Sequence, residues 1–411
     1  MKQLVIVTAL VTATYLSPGA AATPPFELPP PTGPQQVGTT SWRVVDDARR
    51  ESFAGGKEAR QVEVVAWYPA EPNVGRATAP YLREGIGEVR SFASLLKPEN
   101  AFDALGEVKT HAFLDAAPKV DGSFPVLIFS HGFTGVPSAH TALAEDLASH
   151  GYAVLSVVHP YEATAATLNN GRVVSMLDEK GVFLQPTQDV FAEWATEDDT
   201  MAAVTKATDE AEKLKLLRGY LSKIPKTEIA LRRWVDDDKL VLDRLKSLSS
   251  RTAAGKLAVA LDLNRVGVFG HSMGGVTAGQ FCLEDRRCRA GLNLDGSPQS
   301  GTVIDGKIPV PFLMVYSERP GRLGANDAIY RRAASPYIRV DVAGTSHLDF
   351  SDMTFWGGPL RERPMLGTIA PGRVTEITRT IVRQYFDQEL RGLISPLLTG
   401  RVKVPEVSVK R

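Results

Sequence analysis

The sequence predicts an α/β protein: a mainly parallel sheet with helices on both faces and a helical cap inserted between two strands. Three observations predict it. Short, continuously apolar runs recur between helical patterns, which is how strands covered on both faces read. One such run, Arg265-Val266-Gly267-Val268-Phe269, feeds a glycine-flanked serine turn that opens a helix. The interval from His159 to Leu263 is too long for one crossover helix, so it must contain extra structure.

The elements follow in order. Residues 1–22 read as a secretory signal: Lys2 precedes an apolar stretch to about Leu16, and Ala20-x-Ala22 is a small-residue cleavage pattern. The stretch is too short and threonine-rich to span a membrane comfortably. Residues 23–35 form a stiff, proline-rich leader. The core is expected over 36–159 and 226–411. Its strands are Gln61–Tyr68, Phe124–Ser130, Tyr152–Val158, Arg265–Phe269, Ala290–Leu294, Val310–Tyr316 and Tyr337–Val342. A helix carrying Leu143 and Leu147 stops at Gly151, and a C-terminal helix runs from near Arg373 to Leu390. Leu231, Trp234, Val235, Val241, Leu242, Leu245 and Leu248 share one helical face, fit for the crossover onto the sheet. That leaves 160–225 as the insertion, where Val204, Ala207, Ala211, Leu214, Leu217 and Leu221 make one helical stripe. A cap over the site is favoured over mere padding, because crossovers in open α/β sheets start at the strand ends that carry sites.

Composition excludes several classes. The 411 residues carry 47 Lys+Arg against 47 Asp+Glu, so no charge excess points to a nucleic-acid partner. The two cysteines, Cys282 and Cys288, cannot build a four-ligand zinc site. Export makes them candidates for a disulfide, with two buried free thiols as the alternative. No metal and no cofactor is expected.

Gly270-His271-Ser272-Met273-Gly274-Gly275 carries the chemistry. Glycines flank the serine because the strand-to-helix turn leaves no room for side chains. The turn lifts the Ser272 hydroxyl above the sheet, and the Met273 amide at the helix N-terminus points where an oxyanion would form. A serine needs a base. Where a sheet presents serine on such a turn, the chain order is serine, acid, histidine. Of seven histidines only His347 follows Ser272, in the loop after Tyr337–Val342. Two carboxylates can serve as the acid: Asp295, ending Leu292-Asn293-Leu294, and Glu318, after the next strand. The second oxyanion amide belongs to the loop Ser130-His131-Gly132-Phe133, and Phe133 N–H is the candidate, with His131 structural. Phe133, Met273, Phe355 and Trp356 are candidate walls of an acyl pocket, core packing being the plain alternative.

With these motifs assembled, the chain resembles the plasma-type platelet-activating factor acetylhydrolases and their bacterial relatives, of the α/β-hydrolase superfamily. The resemblance rests on Val37-Gly38-Thr39, Asp46-Asp47-Ala48-Arg49, Trp67-Tyr68-Pro69-Ala70, Phe129-Ser130-His131-Gly132-Phe133 and Leu147-Ala148-Ser149-His150-Gly151-Tyr152. It continues in Gly270–Gly275, Gly291-Leu292-Asn293-Leu294-Asp295 and the run Gly344–Asp352. It implies an α/β-hydrolase fold and a Ser272–His347–Asp295 triad, selecting Asp295 over Glu318, with oxyanion amides at Phe133 and Met273. The implied activity is hydrolysis of short-chain acyl esters such as platelet-activating-factor-like phospholipids. The implied partner is a small-molecule or lipid ester; peripheral contact with a lipid surface is compatible with that, although the regions that would make it do not carry over, and the cleaved signal itself points to the periplasm or the exterior. The insertion 160–225 carries no match. Ser272 argues against the cysteine-nucleophile dienelactone hydrolases. Met after the serine is shared with cutinases and polyester hydrolases, which keeps a polyester or general lipid esterase as the alternative, ahead of a non-catalytic binding protein.

Overall fold

The computed structural model describes residues 26–72, 77–96, 101–120, 122–362 and 365–411. The signal segment 1–22 lies outside the described residues. Among the described residues, thirteen strands run β1 Gln36–Arg50, β2 Ala59–Ala70, β3 Thr78–Pro80, β4 Lys109–Leu114, β5 Phe124–Ser130, β6 Ala153–Val158, β7 Ala166–Thr167 and β8 Val173–Val174. They continue as β9 Leu261–His271, β10 Cys288–Leu294, β11 Phe312–Ser317, β12 Tyr337–Val342 and β13 Val407–Lys410. The helices are α1 Gly87–Leu96, α2 Thr141–Ser149, α3 Gln185–Glu193, α4 Glu197–Lys206, α5 Glu210–Leu221 and α6 Pro225–Arg244. After these come α7 Ala253–Val259, α8 Met273–Glu284, α9 Asp327–Ala333, α10 Gly358–Glu362 and α11 Pro371–Arg391.

Eleven strands form one sheet in the order β13-β12-β11-β10-β9-β5-β6-β2-β1-β4-β3. The centre, β6 to β12, is parallel throughout. Antiparallel strands flank it, β2 on β6 and β13 on β12. Alternation along β5 divides the core: Val126 and Ile128 face a cluster with Val235 and Val241 of α6 and Phe281 of α8. Leu127 and Phe129 face Leu147 of α2 and Ile377, Ile381 and Tyr385 of α11. The chain leaves β6 on one side of β5 and returns at β9 on the other. Open α/β sheets bind ligands at such a reversal, and here it sets the loop after β5 beside the turn after β9.

The sequence reading holds for the central strands; β1, β3, β4 and β13 are not among the expected strands, and the insertion departs from the reading in two places. The stripe from Val204 to Leu221 is two helices. Ala207 is extended, and Asp209 restarts the chain as the N-cap of α5, accepting from Glu212 N. Asp209 adopts the extended backbone of an N-cap, which breaks the single helical path that the spacing predicted. The first part of the insertion is a small ribbon, β7 paired with β8, rather than helix. The proline-rich leader, from residue 26 on, is docked on the core: Thr32 N–H and Oγ1–H each reach Asp146 Oδ1 at 2.8 Å, and Arg379 Nη2 donates to Pro29 O at 2.8 Å. It straps α2 to α11. Cys282 at the end of α8 and Cys288 at the start of β10 form a disulfide, their Cα atoms 5.1 Å apart.

Candidate active site

Ser272 sits between β9 and α8 at φ 57°. That left-handed backbone is costly for any residue with a Cβ and persists only where surroundings enforce it. The enforcement is visible. Ser272 N–H is held by Leu294 O of β10 at 2.8 Å. A Cβ on Gly270 would stand 2.3 Å from the Gly274 carbonyl carbon, and one on Gly274 would stand 2.0 Å from Ser130 O. Two glycines therefore let β9, β5 and α8 converge under the serine, which remains partly exposed. Met273 N–H is the first amide of α8, one of those a helix leaves without an internal acceptor.

The loop after β5 comes up against this turn: a Cβ on Gly132 would lie 3.2 Å from Ser272 Cβ. Gly135 N–H to Gly132 O at 2.8 Å and Thr134 N–H to Glu162 O at 2.8 Å fix the loop, with Thr134 at φ 58°. The loop thus brings Gly132, with Phe133 next in the chain, against the serine turn. The Phe133 ring packs against Phe191 and Trp194 of the insertion, with centroids 5.7 and 5.4 Å apart. Phe133, Met273, Val276, Leu231 and Trp234 share that apolar cluster. Phe355 and Trp356 do not join it. Trp356 is buried among Tyr81, Phe102 and Leu105, and Phe355 stacks on Phe26 of the leader at 5.4 Å. The expected pocket role fails for this pair because their run folds onto α1 and the leader, and the plain alternative, core packing, describes Trp356.

Asp295 follows β10, also in left-handed backbone at φ 57°, its N–H held by Val315 O at 2.8 Å. Its Oδ2 lies 2.7 Å from His347 Nδ1. Its Oδ1 accepts from Ser317 N at 2.8 Å and Ser317 Oγ at 2.9 Å. Arg319 Nη2 reaches Oδ2 at 2.8 Å. Burial alone would raise this carboxyl. The Arg319 charge and the bonds from His347 and Ser317 outweigh it and hold Asp295 well below the ordinary carboxylate range. Glu318, the other candidate acid, is exposed and accepts from Gly344 N at 2.7 Å, outside this constellation.

His347 opens a short turn after β12, framed by a reciprocal Ser346–Asp349 cap. Its carbonyl sits 2.9 Å from His271 Nε2. Burial drives His271 well below 6.5, so it is neutral and donates this bond. Burial and the positive charge of Arg319 also lower His347, against the pull of Asp295. The imidazole is neutral near pH 7 and, with Nδ1–H on Asp295, keeps Nε2 free to take a proton. Sequence reasoning missed Arg319, Ser317, Phe191 and Trp194. The last two carried a weak signal as aromatics in the insertion; the first two carried none.

A second serine–histidine–aspartate chain lies beneath the loop. His159 Nε2 is 3.1 Å from Ser130 Oγ, and its Nδ1 is 2.9 Å from Asp237 Oδ2. All three are buried. Asp237 also takes Arg60 Nη2 at 2.6 Å and Arg49 Nη2 at 2.9 Å. Burial lowers His159 to about 4, so it is neutral. Its backbone N–H donates to His131 Nε2 at 3.2 Å, and His131 Nδ1 bonds Gly132 O at 2.7 Å. His131 is thus a strut of the loop, as its sequence position implied.

Comparisons with known proteins bear on the family and the fold. The chain is 27% identical over 286 residues to the platelet-activating factor acetylhydrolase of Cavia porcellus, covering 68% of this chain and 59% of that protein. It is 25% identical over 256 residues to the enzyme of the same name from Bos taurus, covering 61% of this chain and 53% of that one. The chain thus spans little more than half the length of these relatives. Among solved structures, a ferulic acid esterase from Streptomyces cinnamoneus superposes with a TM-score of 0.71 at 27% identity, over 94% of this chain and 99% of that one. The fold is that of the α/β-hydrolases. The model of the platelet-activating factor acetylhydrolase isoform II family matches residues 20–374, and the chain belongs to that family.

Proposed function

We propose that the chain is an exported serine hydrolase of short-chain carboxylic esters, with platelet-activating-factor-like phospholipids as the substrate class its family indicates. The observation that carries this reading is the 2.7 Å bond from His347 Nδ1 to the buried Asp295, placed at the sheet's switch point beside the strained Ser272. Ser272 attacks the ester carbonyl and His347 takes its proton at Nε2. Asp295 fixes the imidazole tautomer and stabilises the imidazolium. The Phe133 and Met273 amides receive the oxyanion, and losing one such donor typically costs about 100- to 1000-fold. His347 returns its proton to the leaving alcohol, then activates the water that releases the acyl group. Residues 160–225 act as the cap: Phe191 and Trp194 close over Phe133 beside the oxyanion site, which supports a small acyl group. The signal sequence and the disulfide support an oxidising destination.

The full-length likeness to a ferulic acid esterase favours a second reading, an ester of a small aromatic acid, which the Phe133–Phe191–Trp194 wall would suit. One substrate panel separates the two: p-nitrophenyl esters from acetyl to palmitoyl, methyl ferulate, and a 1-alkyl-2-acetylglycerophosphocholine, each with wild type and Ser272→Ala. Serine-dependent turnover highest for acetyl esters supports the first reading. Preference for ferulate supports the second. A maximum at palmitoyl contradicts both and indicates an open lipase or polyester cleft.

A further inference from the structure

Resting on the catalytic reading of Ser272, His347 and Asp295, we propose that Arg319 is a positioning residue of the triad: it shares the carboxylate of Asp295 with His347 and extends the enzyme's working range toward acid.

The geometry is specific. Arg319 Nη2 and His347 Nδ1 meet the same oxygen, Asp295 Oδ2, at 2.8 and 2.7 Å. The same nitrogen lies 3.3 Å from the backbone oxygen of Asp295, and Nε lies 3.2 Å from Ser317 Oγ. Ser317 in turn occupies Asp295 Oδ1. The guanidinium fork therefore grips the residue by side chain, backbone and clamp at once, which a point charge could not do. Asp295 is held in a left-handed backbone at φ 57°, where a second anchor on its carboxylate resists relaxation.

The electrostatic consequence follows. An aspartate alone beside an imidazole favours the charged ring; an aspartate already paired with an arginine presents a nearly neutral group and does so less. His347 then loses its proton at a lower pH and is a competent base in more acidic surroundings. The charged and titratable groups around His347 are Asp295 and Arg319, Arg322 from the same loop, His271 from the end of β9, and Asp349 in its own turn. Arg322 is committed elsewhere, to Glu197 and Asp198 of α4 in the insertion. His271 is neutral. Arg319 is therefore the cation positioned to act directly on the Asp295–His347 pair.

The test is the pH dependence of kcat/KM in wild type, Arg319→Gln and Arg319→Lys, with the His347 imidazole titrated by NMR in each. In the glutamine variant the acid-limb midpoint and the NMR midpoint both rise, by about one unit. Well below both midpoints this is about a tenfold loss in kcat/KM relative to each enzyme's own plateau. The lysine variant restores part of the shift. A loss of activity equal at every pH, with the His347 midpoint unmoved, overturns the proposal and leaves Arg319 a packing residue. If wild type shows no Ser272-dependent hydrolysis, the catalytic reading fails, while the NMR titration still decides whether Arg319 controls His347. Thermal melts establish that each variant is folded, and Arg319→Lys carries the test if Arg319→Gln is not.

Discussion

The molecule holds two serine–histidine–aspartate constellations, one serine ending β5 and the other following the adjacent strand β9. Ser130, His159 and Asp237 make a continuous hydrogen-bonded chain, yet they are buried and the serine lies in regular strand. Ser272, His347 and Asp295 occupy the strand ends, and the serine stands in a strained turn at the start of α8, against the loop after β5. Hydrogen bonding alone therefore does not make a nucleophile. What differs is access, Ser272 being partly exposed and Ser130 buried, and a backbone that turns Ser272 out of the regular strand. The charges around the two aspartates differ as well. Asp237 is ringed by Arg60 and Arg49 in the interior, a structural ion network, whereas Asp295 meets one arginine at the rim.

The sharpest way to break the comparison is to remove each hydroxyl. Ser272→Ala is expected to lower kcat by about 10⁵-fold or more. Ser130→Ala is expected to leave kcat within roughly tenfold of wild type, since its effect passes only through the loop; turnover of p-nitrophenyl acetate measures both. The aspartates should separate by kind of damage. Asp295→Asn is expected to cost about 10⁴ in kcat with little change in stability. Asp237→Asn removes the carboxylate shared by His159, Arg49 and buried Arg60, leaving Arg60 on Glu51, and should cost about 3 kcal/mol of stability in urea melts, with the folded fraction still active. A smaller effect concerns the wall over Phe133. Trp194→Ala should raise activity on hexanoyl relative to acetyl esters by roughly tenfold. The smallest is the disulfide: Cys282→Ser with Cys288→Ser closes no loop in the unfolded chain and should cost about 2 kcal/mol, read as a lower Tm at unchanged kcat.

The central strands and the order of the site residues were legible because buried parallel strands are apolar throughout and the glycine-flanked serine admits few other turns. β1, the longest strand, was not, although it runs through the core's edge. Its buried positions include Thr39 and Thr40, satisfied by hydrogen bonds to Ala66 O and Asp115, so hydropathy hides it. Arg319 reads in the sequence as a solvated loop residue. Its role exists only because β10 and β11 are neighbours, which brings the loop after one under the acid at the end of the other. Trp356 failed in the opposite sense. It was a candidate pocket wall with core packing as the alternative, and its side-chain direction is set by packing against Phe92 of α1, Phe102 and Tyr81. The buried relay was invisible for the same reason, since its members come from β5, the loop after β6 and α6, brought together by the crossover.

The most direct measurement is the site of covalent labelling by a fluorophosphonate, mapped by peptide mass spectrometry on the mature protein. The account predicts one adduct, on the peptide containing Ser272, absent in Ser272→Ala and retained in Ser130→Ala. An adduct on Ser130, or labelling that survives the loss of Ser272, would contradict it.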